Sequence, residues 1–147
     1  YKSVREWRDL AEKLEDQWLS FIEKKLLPVL DGIYEGKHHA EHLVDELRPS
    51  YQTQICQDKL SAWLKTYVDL ENILLETLRN LDINQMSVVR GQLADYERHE
   101  PLTTEPDPRL PYESIKEVTR NGYEYKLPDQ EQPSILRTAQ VIVVKNN

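Results

Sequence analysis

Cysteine is almost missing from this chain: Cys56 is the only one in 147 residues. A lone thiol cannot cross-link a fold, and a chain without disulfides suits a reducing compartment. Nothing around Cys56 would activate it as a nucleophile, so it reads as a plain helical thiol. Phenylalanine also occurs once, and apolar residues make up 39% against 31% charged. That is lean for a compact globule and suits long amphipathic helices buried along narrow stripes. No apolar run approaches the roughly 18–20 residues that span a membrane, and no signal peptide is visible. A cytoplasmic location without membrane contact is therefore expected. Positive charge is in short supply too. The net charge of −7 repels phosphate and argues against nucleic acid as the main partner, but it leaves room for a protein with a basic cleft. The chain lacks a phosphate-binding lysine loop, a GxGxxG turn and a GxSxG elbow. No nucleophile, base and acid are grouped together, and the acids of "DQEQ", residues 129–132, read as a solvated loop. An enzyme is not expected, and no cofactor is implied.

Helix is what the sequence has in quantity. Val4, Trp7, Ala11, Leu14, Trp18 and Phe21 step by three and four in turn, an a/d seam that predicts pairing with another helix. A seam inside a helical hairpin of one chain is the competing reading. After Phe21 the phase slips. Ile22, Leu26, Val29 and Ile33 continue the pattern, while Leu27 and Leu30 widen it. Pro28 falls inside this stretch and predicts either a kink with the helix resuming, or a stop near Lys25 and a restart at Pro28. Gly32 and Gly36 predict the helix end, with a separate short helix over 37–47 closed by Pro49 and Ser50. A further helix is predicted from Gln54 to Asn80, with Trp63 on its stripe. Trp7, Trp18 and Trp63 all read as packing residues.

From Asn84 onward helical periodicity vanishes. Six of the eight prolines lie here, with β-favouring pieces at Met86–Arg90, Ser114–Thr119, Gly122–Leu127 and Ile135–Lys145. Tyr123 and Tyr125 alternate on one of them, so at least one should face solvent. The architecture expected is α+β: a helical stalk and bundle over 1–85, then a small all-β domain over 86–147. "HHAEH", residues 38–42, places His38 and His42 at zinc-ligand spacing, but Glu41 is misplaced for HExxH and no fourth ligand is evident. A histidine-rich solvated helix is the simpler reading, and no metal site is expected.

Several segments, in order, resemble the GrpE family of nucleotide exchange factors. "LLPVLDGI", residues 26–33, is similar to the family's L-L-P-V-L-D-N-L, and "LLETLRNLDI", residues 74–83, to its last short helix. "GQLADYERHEPL", residues 91–102, resembles G-x-x-F-D-P-x-x-H-E-A-[VI], matching at Gly91, Asp95, His99 and Glu100. "ESIKEVTRNGYEY", residues 113–125, resembles the strand that leads into a Gly-Tyr pair, here Gly122 and Tyr123. "ILRTAQVIVV", residues 135–144, is similar to the closing strand, with Leu136, Arg137, Ala139, Val141 and Val143 in place. The departures are Ala94, Tyr96 and Pro101 for Phe, Pro and Ala, Thr66 for a small glycine, an apparent insertion at Pro128–Pro133, and extra residues around Asp45–Gln57.

The resemblance implies a parallel homodimer whose seam residues, Val4 to Phe21, pair as a stalk. It also implies a β wing that contacts the ATPase domain of an Hsp70-type chaperone and speeds ADP release. The residues implied at the contact are Gly122, Tyr123, Ile135, Leu136 and Arg137, with His99 and Glu100 at the wing entrance. Gly122 is expected to adopt a turn conformation closed to other residues. The alternative is a coiled-coil scaffold that kept the fold and lost exchange activity.

Overall fold

The structure, a computed structural model, describes residues 3–47, 54–127 and 130–146. It divides into two compact units, Tyr1–Asn72 and Ile73–Asn147. The architecture is α+β, a long N-terminal helix followed by a small sheet-built part.

The first helix opens with a reciprocal cap. The Glu6 amide donates to the Ser3 hydroxyl, and the Ser3 amide donates to the Glu6 carboxylate, so two amides otherwise left bare at the helix start are satisfied. Helix α1 runs Val4–Phe21, passes through a π turn at Ile22–Leu26, and continues as α2 over Leu27–Leu47. The π turn lies where the apolar phase slips. There the Leu27 amide donates to the Ile22 carbonyl, one residue further back than in an α-helix.

The expected end at Gly32 and Gly36 and the separate helix at 37–47 are not found: one helix runs through both glycines. Packing overrides propensity at Gly36, where an added Cβ would lie 2.7 Å from the Tyr67 ring. Gly36 is therefore where α3, Gln54–Arg79, comes close to α2. Nor does the helix stop at Lys25. Pro28 needs no break, because its ring would collide with the carbonyl four residues back, and that residue, Lys24, lies in the widened turn. Lys37 pairs with Glu71 in the same α2–α3 contact. Within this unit Ile22, Leu27, Leu30 and Ala40 are buried. The expected closure at Pro49 and Ser50, and residues 48–53 of the extra segment around Asp45–Gln57, lie outside the described residues.

The second unit takes in the end of α3 and six strands in two sheets. Sheet one has the order β1-β4-β5, all antiparallel: β1 is Ile83–Gln85, β4 Tyr123–Tyr125 and β5 Ser134–Arg137. Sheet two has the order β2-β6-β3, with β2 (His99–Glu105) parallel and β3 (Ile115–Arg120) antiparallel to β6 (Ala139–Val144). Three expectations are corrected here. Met86–Arg90 forms no strand. His99 opens a strand that the sequence did not reveal, because Pro101 and a run of exposed residues hide its alternation. Ile135–Lys145 is two strands, not one, broken at Thr138 and shared between the two sheets. Ile115, Ala139, Val141 and Val143 form the core of sheet two, with Val88, Ala94 and Val118 packed against it. The open edge β2 carries Pro101 and a register shift between Pro101 and Thr103, both of which discourage addition of another strand.

Candidate functional site

The implied contact residues fall into two groups. The first is built on the β4–β5 pair. Tyr123 faces Arg137 across it, and Glu124 faces Ile135. Tyr123 is buried, 1% exposed, and its ring lies 5.3 Å from the Arg137 guanidinium carbon, a cation–π contact. The same guanidinium donates through Nη2 to the Asn121 carbonyl at 2.8 Å. Two contacts thus tie the Arg137 guanidinium down at a half-buried position. Leu136 is half-buried, and Ile135 stands out at 39% exposure. Tyr125 is half-buried. Of the Pro128–Pro133 insertion between these strands, Pro128 and Asp129 lie outside the described residues; Gln130 accepts a bond from the Ser134 hydroxyl.

Gly122 does not fill the role expected of it. Its φ is not positive; among the glycines of the described residues only Gly91 has that conformation. Gly122 is instead required by close approach: an added Cβ would sit 2.5 Å from the Ala139 amide nitrogen and 2.7 Å from the Met86 sulfur. The contact locks the start of β4 against the start of β6, and so one sheet against the other. Arg98 reinforces the join. Its Nη2 lies 2.6 Å from the Glu124 carboxylate, and its carbonyl accepts from the Ala139 amide.

The second group starts β2. His99 is buried, and its Nδ1 accepts from the Asp95 amide at 2.9 Å. With Nδ1 as acceptor, the neutral ring carries its proton on Nε2. Burial holds its pKa below the usual histidine value, outweighing the nearby Asp95. His99 thus closes a turn inside the chain. Glu100 is exposed and faces Arg120 at 3.5 Å.

A buried carboxylate escaped the reading of the sequence. Asp107 accepts from Arg90 Nη2 at 3.0 Å and from the Arg109 amide and Nε. Its amide donates to the Asn146 side chain, tying the C-terminal end to this loop. The Arg109 amide is the main cause of a pKa below the ordinary aspartate value. Only the flanking prolines Pro106 and Pro108 hinted at an ordered turn here. Also unforeseen are Val89, Leu93, Tyr96, Leu102 and Tyr112, each more than half exposed.

The seam of α1 lies open in the single chain. The helix has no buried residue: Val4 is 81% exposed, Trp7 59%, Leu14 57%, Trp18 47% and Phe21 46%, and Ala11 is exposed as well. The Trp18 and Phe21 rings stack at 5.8 Å. Trp63 is also exposed. So the three tryptophans are not core residues of the chain by itself. On α2, His42 Nδ1 lies 3.2 Å from Glu46, and no group of three or more potential metal ligands comes together among the described residues. No described helix is long and apolar enough to cross a membrane.

No curated protein matches the chain significantly. The family model of GrpE matches residues 4–145, from the first turn of α1 to the end of the last strand. The chain belongs to the GrpE family, the co-chaperones that act as nucleotide exchange factors for Hsp70.

Proposed function

We propose that this chain binds the ATPase domain of an Hsp70-type chaperone and accelerates ADP release, acting as a homodimer in the cytoplasm, with no bond chemistry and no nucleic-acid or membrane partner. Residues 1–85 serve dimerisation and 86–147 contact the chaperone. What supports this reading is family membership across nearly the whole chain, together with Arg137 held in place beside the exposed Ile135 on a strand pair packed on a core.

The physical requirement is differential affinity. A factor that binds the open, nucleotide-poor ATPase domain better than the closed one shifts the population toward opening. The coupling is reciprocal, so nucleotide weakens the complex by the same factor. A tenfold shift takes ~1.4 kcal/mol, within reach of one bidentate arginine–carboxylate pair and an apolar anchor. Rigidity matters here, because contacts on a yielding surface would adapt to both states. Gly122 packed on Ala139 and the Arg98–Glu124 pair hold the two sheets as one.

The test is the dissociation rate of labelled ADP from candidate Hsp70 chaperones with and without this protein. Acceleration supports exchange. Nucleotide-insensitive binding without acceleration would instead favour the scaffold.

A further inference from the structure

Two charged pairs reach over β6, the central strand of sheet two, from β2 on one side to β3 on the other, and they are not alike. Lys116 closes on Glu105 with 2.6 Å between nitrogen and oxygen. Arg120 and Glu100 stay 3.5 Å apart, beyond the usual range of an N–H···O bond. The span does not impose this. Both pairs bridge two strand spacings, roughly 10 Å, and an arginine reaches at least as far as a lysine. Glu100, Gln140 and Arg120 stand in one row, since Gln140 faces both of the others.

The Arg120 guanidinium is also incompletely bonded. Its Nε is buried and has no hydrogen-bond partner among the described residues. Nε and Nη2 form one edge of the group, an edge that can take both oxygens of a carboxylate. Here one end of that edge meets no acceptor, and the other meets Glu100 only at a distance. Native proteins rarely leave a buried donor unpaired, because it forfeits its bond to water and gains none in return. Glu100 does little to hold the arginine: the two side chains are 55% and 36% exposed, and ion pairs in contact with water contribute little. Arg98, by contrast, closes on Glu124 at 2.6 Å.

Arg120 lies one residue before Asn121, whose carbonyl accepts from Arg137, so it borders the proposed chaperone contact. We propose that Arg120 is a second arginine of that contact, kept by Glu100 in the free protein and handed to a carboxylate of the chaperone's ATPase domain in the complex. Rotation about the side-chain bonds turns the Nε/Nη2 edge outward, and one carboxylate then satisfies both donors. Glu100 is a competitor for Arg120, not a contact of its own. Arg137 is tied to Asn121; Arg120 is the more loosely held of the two.

The inference rests on the exchange-factor reading, and the test separates the two. Affinity for nucleotide-free Hsp70 and release of labelled ADP are measured with candidate Hsp70 chaperones, alongside denaturant unfolding. Arg120→Ala should weaken binding about tenfold, equivalent to ~1.4 kcal/mol, with the unfolding midpoint nearly unmoved. Arg120→Lys should recover little of it, because an ammonium lacks the fork. Glu100→Gln should tighten binding about threefold, the scale of a weak exposed pair, and should change nothing in an Arg120→Ala background. Binding by Arg120→Ala at the wild-type level overturns the contact and leaves exchange standing. Weaker or unchanged binding by Glu100→Gln overturns the hand-over. Loss of binding together with stability in Arg120→Ala, both restored by Arg120→Lys, overturns a direct role for Arg120. A wild-type protein that accelerates ADP release from none of the chaperones overturns the reading and the inference together.

Discussion

The amide nitrogen of Ala139 lies 2.5 Å from the place a Cβ on Gly122 would occupy. Backbone meets backbone there, between the residue that leads into β4 and the one that opens β6, and neither can swing aside as a side chain would. Gly122→Ala should therefore destabilise the β unit by about 1–3 kcal/mol, the usual cost of overpacking a core. Denaturant unfolding checks this, and a loss under about 0.5 kcal/mol, the level of a neutral surface change, would show that the sheets can separate at little cost.

Gly32 makes the opposite case. It lies inside α2 with nothing within 4 Å of an added Cβ. Gly32→Ala should stabilise the helix by roughly 0.5–1 kcal/mol through propensity alone. Gly36→Ala gains the same propensity but must displace the Tyr67 ring, so it should gain less or lose. Comparing the two melting temperatures reads the difference directly.

His99 links stability to pH. Its folded pKa lies below the ordinary 6.5 because the ring is buried, so the unfolded chain takes up the proton first. The stabilising contribution is complete above about pH 6.5 and is lost as pH falls from there through the lowered folded value. Protonation also takes Nδ1 away as acceptor for the Asp95 amide. His99→Asn, whose side-chain oxygen can accept the same bond, should flatten this decline in denaturation midpoints between pH 7.5 and pH 5.5. An unchanged decline would assign the effect to other groups.

Arg137 and Ile135 divide the proposed contact into a polar and an apolar share. Ile135→Asp changes an exposed side chain and should leave the unfolding midpoint of the β unit almost unmoved, while lowering accelerated ADP release about tenfold, equivalent to ~1.4 kcal/mol. Arg137→Ala should lower release as much or more, with some loss of stability from its bond to Asn121. Wild-type acceleration by both variants would move the contact elsewhere on the wing.

Trp18 is 47% exposed on a helix with no buried residue. If the proposed homodimer pairs through α1, Trp18→Asp should leave the far-ultraviolet spectrum of the folded chain largely intact and shift sedimentation from two copies toward one. A variant that still sediments as the wild type does would place the dimer contact outside α1.

Periodicity along a helix is a local property, so much of the helical part was legible from residues alone. The seam from Val4 to Phe21, the slip after it and the helix from Gln54 are written in spacings of three and four. The slip falls where the π turn lies, although the spacing there reads as a stripe that widens and not as a change of helical turn. Propensity misled at Gly32 and Gly36; at Gly36 the close approach of Tyr67 on α3 outweighs the helix-ending tendency of glycine. The match to the family likewise placed the wing residues in order along the chain.

Which strand pairs with which is not local, and only the tertiary structure decided it. Ile135 and Val141 belong to one β-branched run, yet the break at Thr138 sends them into different sheets. Gly122 reads as a turn residue from its neighbours, but Ala139, far along the chain, is what requires it. Burial of His99 and the charges gathered on Asp107 depend in the same way on groups that meet only when the chain is folded. Spacing along the chain specifies which side of an element is apolar; contacts between distant residues specify what that side meets.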